Sequence, residues 1–108
     1  MIHFFYIHPN ATKYFFRRKE TIIDYNMDLL RKYSGHDFRL YVDYDTCTLI
    51  DITDNRIIFH EAITRSMDSV CSMVADMRDL WQFLRKPETI TTQYQYNRFV
   101  KLKSNYYG

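Results

Sequence analysis

The sequence predicts an α+β fold in a single domain spanning residues 1–108. The expected element order is β-α-β-β-β-α-β, with two helices and an antiparallel or mixed sheet of four or five strands. Three observations carry this expectation. A chain of 108 residues has the length of one domain able to bury a core. Hydrophobic residues at 46% and charged residues at 26% match a globular chain rather than a disordered one. The apolar pattern switches between a period of two and one near 3.6, and two Gly and two Pro leave little room for linkers.

Residues 2–8 are apolar on both faces, as in a covered strand, and Pro9-Asn10 ends them. From about Thr12 to Tyr33 the period becomes helical. Phe16, Ile23, Met27 and Leu30 form one stripe, widened by Phe15, Ile22, Leu29 and Tyr33. Arg31 and Lys32 suit the last turn, and Gly35 suits a left-handed stop. Residues 37–62 predict three antiparallel strands. A two-residue turn at Asp54-Asn55 would pair Ile52 with Ile57 and Ile50 with Phe59. A turn at Tyr44-Asp45-Thr46 would pair Val42 with Thr48, Leu40 with Ile50 and Phe38 with Ile52. That register gathers Phe38, Leu40, Val42, Ile50, Ile52, Ile57 and Phe59 on an inner face. Thr64 or Ser66 caps a second helix running to about Arg85. Residues 89–103 alternate in character and predict a fifth, edge strand guarded by Lys101 and Lys103, within a basic aromatic tail spanning 88–108.

Composition and charge bound the function. Residues 1–36 carry a net charge of +3, residues 37–79 carry −5, and residues 80–108 carry +4. This balance excludes a wholly acidic nucleic-acid mimic and falls short of a dedicated nucleic-acid binder. Cys47 and Cys71 have neither metal spacing nor a disulfide framework, which implies a cytoplasmic protein. No stretch reads as a membrane span. Two glycines cannot build a phosphate loop, and no Ser, Thr or Cys sits in a nucleophile motif. His3, His8, His36 and His60 lack paired ligand spacing. Asp43, Asp45 and Asp51 with His60 and Glu61 form the one carboxylate–histidine grouping, read as structural carboxylates, with a small metal-dependent nuclease as the third reading of the chain. No catalytic residue, metal or cofactor is expected.

Aromatic surplus points instead to binding. Ten Tyr, eight Phe and one Trp crowd the two ends of the chain, and Tyr supplies contact area with a polar handle. The expected partner-binding surface is the outer sheet face, where Tyr41, Leu49 and Ile58 would be framed by Arg39, Asp43, Asp51 and His60. The alternative is a single-stranded RNA or DNA surface on the tail, from Tyr94, Tyr96, Arg98, Phe99, Lys101 and Lys103, with Arg17-Arg18-Lys19 extending it. Met67, Val70, Val74, Met77, Trp81 and Leu84 make a heptad-like seam. The seam reads as core, and a homodimer through it or through an edge strand is the other use. Residues 14–86 are similar in order to the double-stranded RNA-binding domain. The likeness is one of topology, because that family's basic cluster falls here on Thr64-Arg65-Ser66-Met67-Asp68, with one cation and one anion. The composition also looks like that of small accessory proteins of large tailed phages. The resulting expectation is a non-enzymatic protein-binding module, such as a phage-encoded inhibitor or modulator of a host protein.

Overall fold

The computed structural model describes residues 5–7, 17–43, 46–62 and 68–107, with the side chains of residues 5–7, 17–20 and 43 outside that description. Helix α1 spans Arg17–Ser34. Its inward stripe is Ile23, Met27 and Leu30, all fully buried, with Asn26 and Ser34 beside them. The helix stops as expected. Gly35 takes φ +72° and its amide donates to the Arg31 carbonyl at 2.8 Å. This left-handed cap would strain any residue with a Cβ.

Strands β2 (Phe38–Asp43), β3 (Thr46–Asp51) and β4 (Arg56–Ala62) form an antiparallel meander. Strand β1 (Phe5–Ile7) joins β2 in parallel, giving the spatial order β1-β2-β3-β4. A parallel pair needs a crossover, and α1 supplies it. The α+β class therefore holds, with a mixed sheet of four strands.

The register departs from expectation by one residue. Val42 faces Cys47, Leu40 faces Leu49 and Phe38 faces Asp51. A one-residue slip sends every side chain of a strand to the other face. Cys47, Leu49 and Asp51 thus turn inward and are fully buried, rather than lying on the outer face. The loop after β3 is also longer than the predicted two residues. Residues 52–55 make the turn, with Asn55 at φ 53°. The Asp54 amide donates to Asp51 Oδ1 at 3.2 Å, a side-chain-to-backbone bond that helps to hold the turn after β3. An irregularity between Leu49 and Ile50 breaks the alternation in β4. Ile58 and Phe59 are consequently both buried, while Ile57, predicted to be core, is 63% exposed. Ile50 and Ile52 leave the core as well, Ile50 being half-buried and Ile52 exposed.

Helix α2 (Asp68–Arg85) buries Val70, Val74, Met77 and Leu80. These join Ile23, Met27 and Leu30 of α1 and Phe38, Leu40, Val42, Leu49 and Phe59 of the sheet in one core. The heptad-like seam thus faces the chain's own core, with Trp81 and Leu84 at its margin. Phe15, Phe16, Tyr44, Asp45, Thr64, Ser66 and Met67 lie outside the described residues.

The predicted fifth strand is a third helix. After a short 3-10 turn at Pro87–Thr89, α3 spans Gln93–Tyr107. Its start is a capping box, Thr92-x-x-Gln95. Thr92 Oγ1 accepts from the Gln95 amide at 3.1 Å, and Gln95 Oε1 accepts from the Thr91 amide at 2.8 Å and the Thr92 amide at 3.1 Å. Leu102 is buried against the core, and Phe99, Tyr106 and Tyr107 pack on it. No helix among the described residues is long and apolar enough to cross a membrane.

Candidate functional site

Alternation along β2 and β3 divides the sheet into a helix-covered face and one that is bare among the described residues. Opposite Phe38, Leu40, Val42, Leu49 and Phe59, the bare face carries two cross-strand rows. One is Arg39–Ile50–Ile57 and the other is Tyr41–Thr48–His60. Arg39, Tyr41, Ile57 and His60 are exposed, and Thr48 and Ile50 half-buried. Thr48 Oγ1 and His60 Nδ1 are 2.6 Å apart. Arg39 donates to Asp37 at 3.1 and 3.2 Å, which raises its pKa through the bond and the carboxylate charge. Of the seven residues expected here, Arg39, Tyr41 and His60 are in place. Leu49, Asp51 and Ile58 are inside, and the Asp43 side chain lies outside the described residues. The sequence reading missed Ile50, Ile57 and Thr48. Their placement follows from the β2–β3 register, in which Leu49 rather than Ile50 lies opposite Leu40, and from the irregularity beside Leu49 in the β3–β4 pairing.

The tail residues share a helix, not a strand edge. Tyr94 and Tyr96 are exposed, 75% and 52%, as are Lys101 and Lys103. Phe99 packs edge-on against Phe83 at 6.1 Å, with Lys103 Nζ 6.0 Å from its ring centre. Arg98 is already engaged. Its Nη2 donates to Asp76 Oδ1 at 2.8 Å and lies 3.2 Å from Asp79 Oδ2. Arg78 continues the chain of contacts, donating to Asp79 at 3.0 and 2.8 Å and to the buried Asn26 Oδ1 at 2.6 Å. The network therefore spans all three helices. Asp76 titrates above the ordinary carboxylate range because its burial outweighs the Arg98 guanidinium beside it.

A third constellation was not foreseen. The inward turn of Asp51 brings its carboxylate to His36, whose Nδ1 lies 2.8 Å from Asp51 Oδ2 and 3.8 Å from Asp54 Oδ2. Aromatic rings wall this corner. Trp81 sits 4.8 Å from the His36 ring, and its indole N–H donates to Tyr107 Oη at 3.1 Å. Burial pushes the Tyr107 hydroxyl up to about 12, so it stays protonated at neutral pH. Arg85 spans from α2 to the last turn of α1, donating to the Ser34 carbonyl at 2.6 Å.

Neither cysteine occupies such a setting. Cys47 is buried in the core, and burial raises its thiol to about 11, the opposite of an activated nucleophile.

No protein-family model, curated protein or solved structure is significantly similar to this chain.

Proposed function

We propose that this chain is a non-catalytic protein-binding module that inhibits or modulates its partner, and that it engages the partner through the bare face of the sheet. The carrying observation is the cross-strand cluster of exposed Ile57 and Tyr41 with half-buried Ile50, rimmed by Arg39, Thr48 and His60. An apolar centre with a polar rim is the usual anatomy of an interface. The face is also rigid, since the other side of the same strands is core. Its mixed rim, cationic at Arg39 and neutral at Thr48, favours a protein surface over a phosphate backbone, which would call for several cations.

Affinity capture from lysate tests this reading. Wild-type protein is expected to retain a specific partner that Ile57→Asp and Tyr41→Ala lose, while Lys101→Ala with Lys103→Ala retains it. Capture that survives both sheet-face substitutions would overturn it.

A second reading rests on α3, where Tyr94 and Tyr96 stand exposed on the same helix as Lys101 and Lys103. Rings beside cations stack on bases and neutralise phosphates. This reading requires single-stranded RNA or DNA to bind with an affinity that falls steeply with salt and drops in the double lysine variant. Arg98 contributes little to it, being held by Asp76 and Asp79.

A further inference from the structure

The geometry points to a binding site for one divalent first-row transition ion of the zinc class, held by His36 Nδ1 and the carboxylates of Asp51 and Asp54. One ligand atom from each of these residues lies within 4.8 Å of the other two. The three come from different segments: the turn after α1, the end of β3, and the 52–55 loop. The bond from the Asp54 amide to Asp51 Oδ1 helps to hold the loop that carries Asp54 beside His36. Ligand atoms about 2.0–2.2 Å from a shared ion stand roughly 3.0–3.5 Å apart. The observed separations of 2.8 and 3.8 Å bracket that span, so side-chain rotation suffices to close the site.

Burial bears on the same cluster. Asp51 is 0% exposed, and a buried carboxylate is costly unless it is paired with a cation. Among the described residues no Lys or Arg lies within ion-pair distance of it, and its one such partner is His36. The nearby guanidiniums face rings instead. Arg56 lies 4.8 Å from the Tyr107 ring centre and Arg85 5.6 Å from that of Trp81. Both hydrogen bonds to the carboxylate come from His36 and the Asp54 amide, within the cluster itself. A divalent ion balances the two carboxylates charge for charge. The imidazole selects zinc, cobalt or iron over magnesium and calcium, which prefer oxygen alone. A groove of about 490 Å³, lined by His36 with Arg31, Lys32 and Thr53 but not by Asp51 or Asp54, reaches the cluster on its imidazole side.

This inference is independent of which surface binds a partner. Trp81 is the only tryptophan of the chain, and it stands 4.8 Å from His36. Its fluorescence therefore reports the site directly. The full-length protein, stripped with chelator, is titrated with Zn²⁺ alone and then with Co²⁺ alone. The expected result is saturable one-to-one binding, with quenching by Co²⁺ and an increase in melting temperature, and no response to Mg²⁺ or Ca²⁺. Asp54 is half exposed, so Asp54→Asn keeps the fold and is expected to weaken the ion at least tenfold. His36→Gln is expected to abolish binding, and Ile57→Asp to leave it intact. No saturable response to either ion, or equal affinity in Asp54→Asn and wild type, would overturn the proposal.

Discussion

The Arg78–Asp79–Arg98 network and the His36–Asp51 pair both join elements far apart in sequence, but they balance charge differently. In the first, two guanidiniums meet two carboxylates that are each about a quarter to a third exposed. Water still solvates them, so each contact is individually weak. In the second, a carboxylate with no exposure is opposed by one imidazole that is 17% exposed. Here little water offsets a lost partner. The first arrangement ties three helices together and tolerates loss of a member. The second concentrates the cost of its charge in one residue.

The largest expected effect separates the two directly. His36→Ala leaves the buried Asp51 carboxylate without its imidazole partner and is expected to cost about 3 kcal/mol or more of folding stability, read from urea unfolding. Next is Arg78→Ala, which strips the hydrogen bond from the buried Asn26 amide. It should cost roughly 1–2 kcal/mol in the same assay. A loss as large as that of His36→Ala would erase the distinction drawn above. Asp76→Asn should change stability at neutral pH by no more than about 0.5 kcal/mol. The sign for Asp76 is unusual among carboxylates. Its native pKa is raised by burial, so the native state holds the proton more tightly than the unfolded chain. Its contribution is fullest below the unfolded value of about 3.9 and is lost as pH rises through the raised native value. Comparing the acid limbs of wild type and Asp76→Asn by thermal melts checks this. The smallest effect is chemical. Iodoacetamide at pH 8 should label the half-buried Cys71 before the buried Cys47, because the Cys47 thiol ionises only near 11. Labelling of Cys47 should await unfolding, as mass spectrometry of the intact protein will report.

Much of the fold is legible in the sequence, and the failures have physical causes. The helical stripe Ile23–Met27–Leu30, the stop at Gly35 and the α2 core positions Val70, Val74 and Met77 follow from a 3.6 period with clear punctuation, whereas the fully buried Leu80 lies outside the expected stripe. The meander is legible as three strands but not in its register. Leu49 and Ile50 are both apolar, as are Ile57 and Ile58, so hydrophobicity alone fits either face. The decision falls to the β2–β3 register, one residue from the expected one, together with the irregularity beside Leu49, and neither leaves a periodic trace. That single step relocates Leu49, Asp51 and Ile58 inward, breaks up the expected outer cluster and creates the His36 corner. The tail fails differently. Thr92 and Gln95 spell a capping box, yet alternating Tyr and Gln give a period of two that imitates a strand. The local cap prevails because Leu102, Tyr106 and Tyr107 can all reach the core from a helix.

The capping box of α3 has a consequence for how the molecule opens and closes. Its bonds run among Thr91, Thr92 and Gln95, so the helix start is organised by its own neighbours. Its attachment rests on Leu102 and a few rings and on Arg98, whereas α1 and α2 share the main core. Such an element behaves as a separate cooperative unit. Its amides should exchange with solvent hydrogen by transient undocking, ahead of those in β3 and the middle of α2. Assembly should run in the reverse order, with α3 closing last onto a layer already formed by α1, α2 and the meander.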